Sequence, residues 1–188
     1  DSNKGDYGRT LIIAGSSGML GAAALASRGA LRVGSGLTYL AVPKELVDSA
    51  NIMTPEVITL PFEKISGIEP DAIAIGPGLG QSPKIKKILH SLVIGNWPLV
   101  IDADAINILS KHPQPLRRKK TSVILTPHPG EMSRLIHKSV EFIRKNRVMV
   151  AKVAARHYNC IVVLKGDKTV IADPAGKVYV NTTGNPGL

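Results

Sequence analysis

Cysteine occurs once in the 188 residues, at Cys160, so no internal disulfide can form, and a thiol beside the run Ile161-Val162-Val163-Leu164 reads as inert packing. Aromatic residues make up only 4% of the chain, against a hydrophobic content of 44%. The core must therefore be built from Ala, Val, Ile and Leu, which suits buried parallel strands under helices and disfavours an aromatic-rich sandwich. Long apolar runs are also missing: stretches such as Leu11–Ala14 and Ile161–Leu164 are strand-sized, which excludes a helical membrane span and a secretory signal and predicts a cytoplasmic protein. Acidic residues are few, 14 against 24 basic ones, giving a net charge of +10 and a pI near 9.9. Such charge suits nucleic acid, an anionic small molecule or simply a basic surface. The densest groups, Arg117-Arg118-Lys119-Lys120 and Lys84, Lys86 and Lys87, carry no interleaved aromatics and no reading-head motif, so they read as solvated faces and no nucleic-acid partner is expected.

What is present alternates. Strand-length runs rich in β-branched residues lie at Thr10–Ala14, Thr38–Val42, Asp71–Ile75, Leu99–Ile101, Val123–Leu125 and Ile161–Leu164. Helical spacing fills Leu20–Val33, Pro83–Ile94, Ala105–Ser110, Gly130–His137 and Val140–Tyr158, and a hairpin is predicted over Thr169–Asp173 and Lys177–Val180. This order predicts one α/β domain over residues 1–188: a mainly parallel sheet with helices on both faces, three layers deep. Ligands of such sheets bind beyond the carboxyl ends of the strands, and nearly every polar or Gly-rich motif falls there.

The first such loop holds Gly15, Gly18 and Gly21 ahead of Ala22, which offers bare backbone and a helix N-terminus to an anion, or only a tight turn. Neither G-x-G-x-x-G nor G-x-x-x-x-G-K-[ST] occurs, so ordinary Rossmann and Walker sites lose support. Gly76-Pro77-Gly78-Leu79-Gly80 removes side chains from a potential ligand floor, or simply turns the chain. Asp102 and Asp104, alternating on an extended segment with Asn107 a turn later, could hold a cation or hydroxyls, unless Asp104 only caps the next helix. His128 is framed by two prolines at a helix mouth, where a ligand is within reach, and Glu131 supports either a phosphate and its metal-bound water or the helix dipole. Lys165, Gly166, Asp167, Lys168 and Thr169 join two strands with a cation, flexible backbone and a hydroxyl, as a phosphate site or as a hairpin turn.

Taken in order, "GRTLIIAGSSGMLGAAALA", "GALRVGSGLTYLAVP", "AIAIGPGLG", "VIDADAINIL", "LTPHPGEMSRL", "VVLKGDKTVIAD" and "NTTGNPGL" closely resemble the ADP-dependent NAD(P)H-hydrate dehydratases, a branch of the ribokinase-like superfamily. The resemblance runs from about Asn3 to Leu188 and implies a ribokinase-like fold. It implies a lyase that uses ADP, or ATP, as co-substrate to return the S epimer of hydrated NADH or NADPH to the intact cofactor, releasing AMP and phosphate, with Mg2+ as the expected cofactor. By resemblance, Ala22, Gly78, Gly80 and His128 sit at the hydrate, and Lys165 to Thr169 line the adenine nucleotide. Asp102, Asp104, Asn107 and Glu131 would give metal or polar support. The family's catalytic Asp belongs to a Gly-Gly-Ser-Gly-Asp-type segment and is expected beyond Leu188. A homo-oligomer is expected, with an epimerase as a partner or fused domain and no membrane association. The runner-up readings are an ATP-dependent small-alcohol kinase of the same superfamily and an inactive nucleotide-binding protein.

Overall fold

The computed structural model describes residues 3–113, 116 and 119–183. Arg117 and Arg118 of the basic cluster, and the last five residues of "NTTGNPGL", lie outside the described residues. The strands are β1 (Arg9–Ile13), β2 (Leu37–Val42), β3 (Ile58–Pro61), β4 (Ala72–Ile75), β5 (Leu99–Ile101), β6 (Val123–Leu125), β7 (Ile161–Leu164), β8 (Val170–Ala172) and β9 (Val178–Val180). They form one sheet in the order β3-β2-β1-β4-β5-β6-β7-β8-β9. Every pair from β3 across to β7 is parallel, and β8 and β9 complete the sheet as an antiparallel meander. The helices are α1 (Leu20–Arg32), α2 (Val47–Met53), α3 (Pro83–Val93), α4 (Ala103–Lys111), α5 (Pro129–Ile136), α6 (Val140–Lys145) and α7 (Arg147–Tyr158). The expected parallel sheet with helices on both faces is the one found.

Side-chain alternation on the strands separates the two layers. Leu11, Ile13, Ile73, Ile75, Leu99 and Ile101 point into the larger core, where Leu89 of α3, Ile106 of α4, Met132 of α5 and Val150 of α7 pack on them. Ile12, Ala14, Leu40 and Val42 point the other way, onto Ala23 of α1 and Ala50 of α2. Each fully buried Leu or Ile contributes about 1.5–3 kcal/mol, so aliphatic packing suffices without aromatics. α3 shows the local logic. The Ser82 hydroxyl accepts the Ile85 N–H at 3.4 Å, Pro83 occupies the first turn, and Ile85, Leu89, Leu92 and Val93 form the buried stripe.

Three expectations need correction. The helix read as Val140–Tyr158 is two helices, because Asn146 leaves helical geometry (φ −124°, ψ 33°) while its side-chain amide donates to the Phe142 carbonyl at 2.9 Å. The same carbonyl still accepts the Asn146 backbone N–H at 3.1 Å and so closes the first helix, while the Asn146 carbonyl accepts the Val150 N–H at 2.9 Å and opens the second. The helix read as Ala105–Ser110 begins at Ala103. The third concerns residues 44–61, left without elements by the pattern, which carry α2 and the edge strand β3. Among the described residues no helix is long and apolar enough to cross a membrane.

Strand order reverses between β1 and β4, since β2 and β3 extend the sheet on one side and β4 begins the other. That switch opens a crevice at the carboxyl ends, and the loops after β1 and β4 meet there.

Candidate functional site

The two Gly-rich loops are laced together. The Gly15 N–H donates to the Pro77 carbonyl at 2.8 Å, the Gly76 N–H to Ile13 at 3.1 Å, and the Ser16 hydroxyl to Gly78 at 2.7 Å. Gly76 adopts φ +138°, and a Cβ there would lie 1.8 Å from the carbonyl oxygen of Asp102. Only glycine lets the ends of β4 and β5 close this far. At Gly78 a Cβ would stand 2.9 Å from Met19 and 3.3 Å from the Ala22 Cβ, so two residues expected at one subsite touch. Gly80 faces open space, and its N–H is held at 2.9 Å by the Asp104 carboxylate.

Asp102 and Asp104 do not share an extended face. Asp104 lies in the first turn of α4 and serves Gly80, whereas Asp102 precedes the helix and accepts the Lys165 ammonium at 2.5 Å. Between them Ala103 holds a left-handed φ of +47°, a strained geometry for a residue with a Cβ that sends the two carboxylates apart. Asn107 accepts from the Arg134 guanidinium at 2.8 Å.

His128 caps α5. Its Nδ1 accepts the N–H groups of Gly130 at 2.9 Å and Glu131 at 3.4 Å, while the Glu131 carboxylate accepts the His128 N–H at 2.8 Å. Nε2 lies 3.2 Å from the other oxygen of Glu131, so these contacts need the neutral ring with its proton on Nε2. A Cβ on Gly130 would come within 2.8 Å of the ring, which explains the glycine. The imidazole is half-exposed, with Nδ1 committed to its own helix and Nε2 beside the Glu131 carboxylate.

The Lys165–Thr169 loop is a hairpin turn between β7 and β8, with Leu164 opposite Val170. Its amino end is docked on β6, where the Lys165 N–H donates to Pro127 at 2.8 Å. The Lys165 side chain then reaches back across β6 to Asp102 at the end of β5. Pro77, Val100, Asp102, Thr126 and Lys165 wall an open cavity of about 340 Å³. A larger hollow of about 690 Å³, beside Lys4, Tyr7 and Gly36, lies at the opposite edge of the sheet, away from all these loops. Sequence reasoning missed Ser16, which ties the two glycine loops, and Arg147, whose guanidinium donates to carbonyls of the 164–168 segment. Burial lowers the Arg147 pKa, and the charge of Asp167 opposes this.

Asp102, Asp104, Asn107 and Glu131 do not fit a protein-built metal centre. Their polar atoms are engaged separately, and no group of three His, Cys, Asp or Glu side chains among the described residues converges on one point. Asp102 and Asp104 hold strand-end loops and Glu131 a helix cap, whereas Asn107 joins α4 to α5 through Arg134.

The NAD(P)H-hydrate dehydratase family model matches residues 10–188. The chain is 36% identical to the ADP-dependent (S)-NAD(P)H-hydrate dehydratase of Bacillus subtilis, covering 100% of this chain and 68% of that one. It is 37% identical to the bifunctional NAD(P)H-hydrate repair enzyme of Moorella thermoacetica, where 99% of this chain spans 38% of the relative's length. The crystal structure of the ADP/ATP-dependent NAD(P)H-hydrate dehydratase from Bacillus subtilis, co-crystallized with ATP/Mg2+, superimposes with a TM-score of 0.87 at 35% identity over 98% of this chain and 67% of that chain. The ribokinase-like arrangement expected from the resemblance is the one these comparisons share.

Proposed function

Because the chain belongs to the NAD(P)H-hydrate dehydratase family, we propose that its protein carries out ADP-dependent dehydration of (6S)-hydrated NADH and NADPH, restoring the cofactor and releasing AMP and phosphate. One observation carries the reading: the two proposed subsites meet at Asp102. Its carbonyl packs where a Gly76 side chain would be, and its carboxylate holds the Lys165 ammonium. We assign the hydrate to the crevice of Ala22, Gly78, Gly80 and His128, and the adenine nucleotide to Lys165–Thr169. The cavity between them would then hold the phosphoryl group.

In this reading the terminal phosphoryl of ADP moves to the ring hydroxyl, leaving AMP. The C–O bond then breaks with loss of phosphate, the ring nitrogen supplying electron density, and the adjacent carbon gives up a proton. Lys165 and the backbone N–H groups of the Gly15–Gly18 and Gly76–Gly80 loops would stabilise charge on the transferring group. None of Asp102, Asp104 and Glu131 is proposed as the base, since the first two are partnered and Glu131 is buried in its cap. Mg2+ would be bound through nucleotide phosphates and water rather than by a protein cage. We also place the protein in the cytoplasm as a homo-oligomer, beside an epimerase that is a partner or a fused domain.

The test is incubation of the full-length protein with hydrated NADH and ADP. Return of NADH absorbance with equal release of AMP and phosphate is expected. A stable phosphorylated product from ATP, without recovered NADH, would replace this reading by the small-alcohol kinase. A second arm addresses the nucleotide assignment. Lys165→Ala should weaken ADP about ten-fold or more, the loss of a charge-assisted hydrogen bond, and leave hydrate binding little changed.

A further inference from the structure

Arg147 opens α7 directly after the break at Asn146, and nothing in its sequence setting suggests a role. In the fold its Nη2 donates to the carbonyls of Leu164 at 2.9 Å and Lys168 at 3.4 Å, and Nη1 donates to that of Lys165 at 3.3 Å. One guanidinium therefore bridges the last residue of β7 and both flanks of the turn that follows. Gly166, at φ +138°, makes room for it: a Cβ there would stand 2.7 Å from Nη1. The Nε is buried without a hydrogen-bond partner, so the side chain keeps this position although one donor is unsatisfied. Left-handed Lys168, at φ +52°, sits at the far end of the same bridge.

We propose that Arg147 is the positioning residue of the nucleotide loop, acting through the backbone of residues 164–168 and not on a phosphate. The inference rests on the adenine-nucleotide reading of that loop. Both terminal nitrogens donate to carbonyls, which turns those carbonyls toward the guanidinium and so constrains where the intervening N–H groups and the Lys165 side chain can point. A lysine cannot substitute, because three acceptors in different directions need the planar fork of donors and a single ammonium lacks its fixed geometry. The positive charge near the loop is then incidental to the function of the residue.

The experiment compares Arg147→Ala, Arg147→Lys and Lys165→Ala in the full-length protein, with Arg144→Ala, an exposed cation on α6, as the charge control. ADP and hydrated NADH are titrated separately by calorimetry, and amide exchange is followed over residues 165–169. Both Arg147 variants should weaken ADP about ten-fold while hydrate affinity stays within about two-fold. Exchange should quicken over the loop but not over β4 to β6, a pattern that a general loss of stability would not give. An ADP constant unchanged in Arg147→Ala, or fully restored by Arg147→Lys, overturns the proposal. Should the alanine variant fail to fold, the lysine variant decides on the same criteria. Weakening by Lys165→Ala but not by the Arg147 variants overturns this inference alone, whereas absence of ADP binding in the unsubstituted protein overturns the nucleotide assignment with it.

Discussion

Gly76→Ala attacks the closest backbone crossing at the crevice. The new Cβ would begin 1.8 Å from the Asp102 carbonyl oxygen and 3.2 Å from the Ala105 Cβ, at a φ of +138° that L-residues avoid. Backbone strain of this kind costs about 1–3 kcal/mol. Forcing the neighbouring strand end aside adds about 1–3 kcal/mol, so the total is about 2–6 kcal/mol. In a chain of this size each kcal/mol lowers the melting temperature by about 2–4 °C, giving a fall of about 4–24 °C. Gly80→Ala is the matched control. It also sits at positive φ, +70°, but meets no atom within 4 Å and keeps its N–H for Asp104. Its cost should stay near 1–2 kcal/mol, about 2–8 °C. Paired thermal melts and urea titrations measure the difference. If Gly76→Ala melts no lower than Gly80→Ala, the contact with Asp102 does not constrain the fold and the argument for a shared anchor between the subsites fails.

Burial pushes the Cys160 thiol up to about 12, so alkylation of the native protein near neutral pH should follow unfolding; brisk labelling would contradict its packing role. A raised thiol value also stabilises the fold fully below about pH 8.5 and loses that contribution as pH climbs toward the folded value, a slope that Cys160→Ala should remove. His90 is held below its ordinary value first by burial and then by the charges of Lys86 and His112. Its contribution is therefore present above about pH 6.5 and lost as pH falls through the depressed value; urea midpoints on either side of this window should differ less in His90→Gln. His128→Ala should cost about 1 kcal/mol of cap energy, which His128→Asn restores because Asn also caps. Both variants should weaken hydrate use more than ADP use, and equal losses for the two ligands would confine His128 to its cap.

The six strands found by pattern were legible because buried parallel strands are short β-branched runs that end in Gly, Pro or charged residues. β3 escaped because a four-residue edge strand ending in Pro61 leaves too few residues for a period, and α2, only seven residues long, is equally faint. Asn146 was invisible inside an apolar periodicity that continues on both sides, since the break is a change of backbone conformation at one residue and not of composition. At the site, glycines and framed residues announced themselves. Ser16 and Arg147 did not, because their partners are backbone carbonyls, which every residue possesses and no motif records. The pairing of Asp102 with Lys165 was hidden for another reason: both were singled out, but 63 positions separate them and only the strand order brings them together.

That separation bears on how the molecule assembles. The Lys165–Thr169 turn closes between neighbours in the chain, and hairpins of this size form in about microseconds. The clasp between Ser16 and Gly78 spans 62 positions, like the reach of Lys165 to Asp102, and such closures wait for parallel strands whose partners are distant. The Lys165–Thr169 turn is thus expected early and its connection to the crevice late. In the reverse direction, a fluctuation that parts β5 from β6 would uncouple the two proposed subsites while the turn itself stays formed.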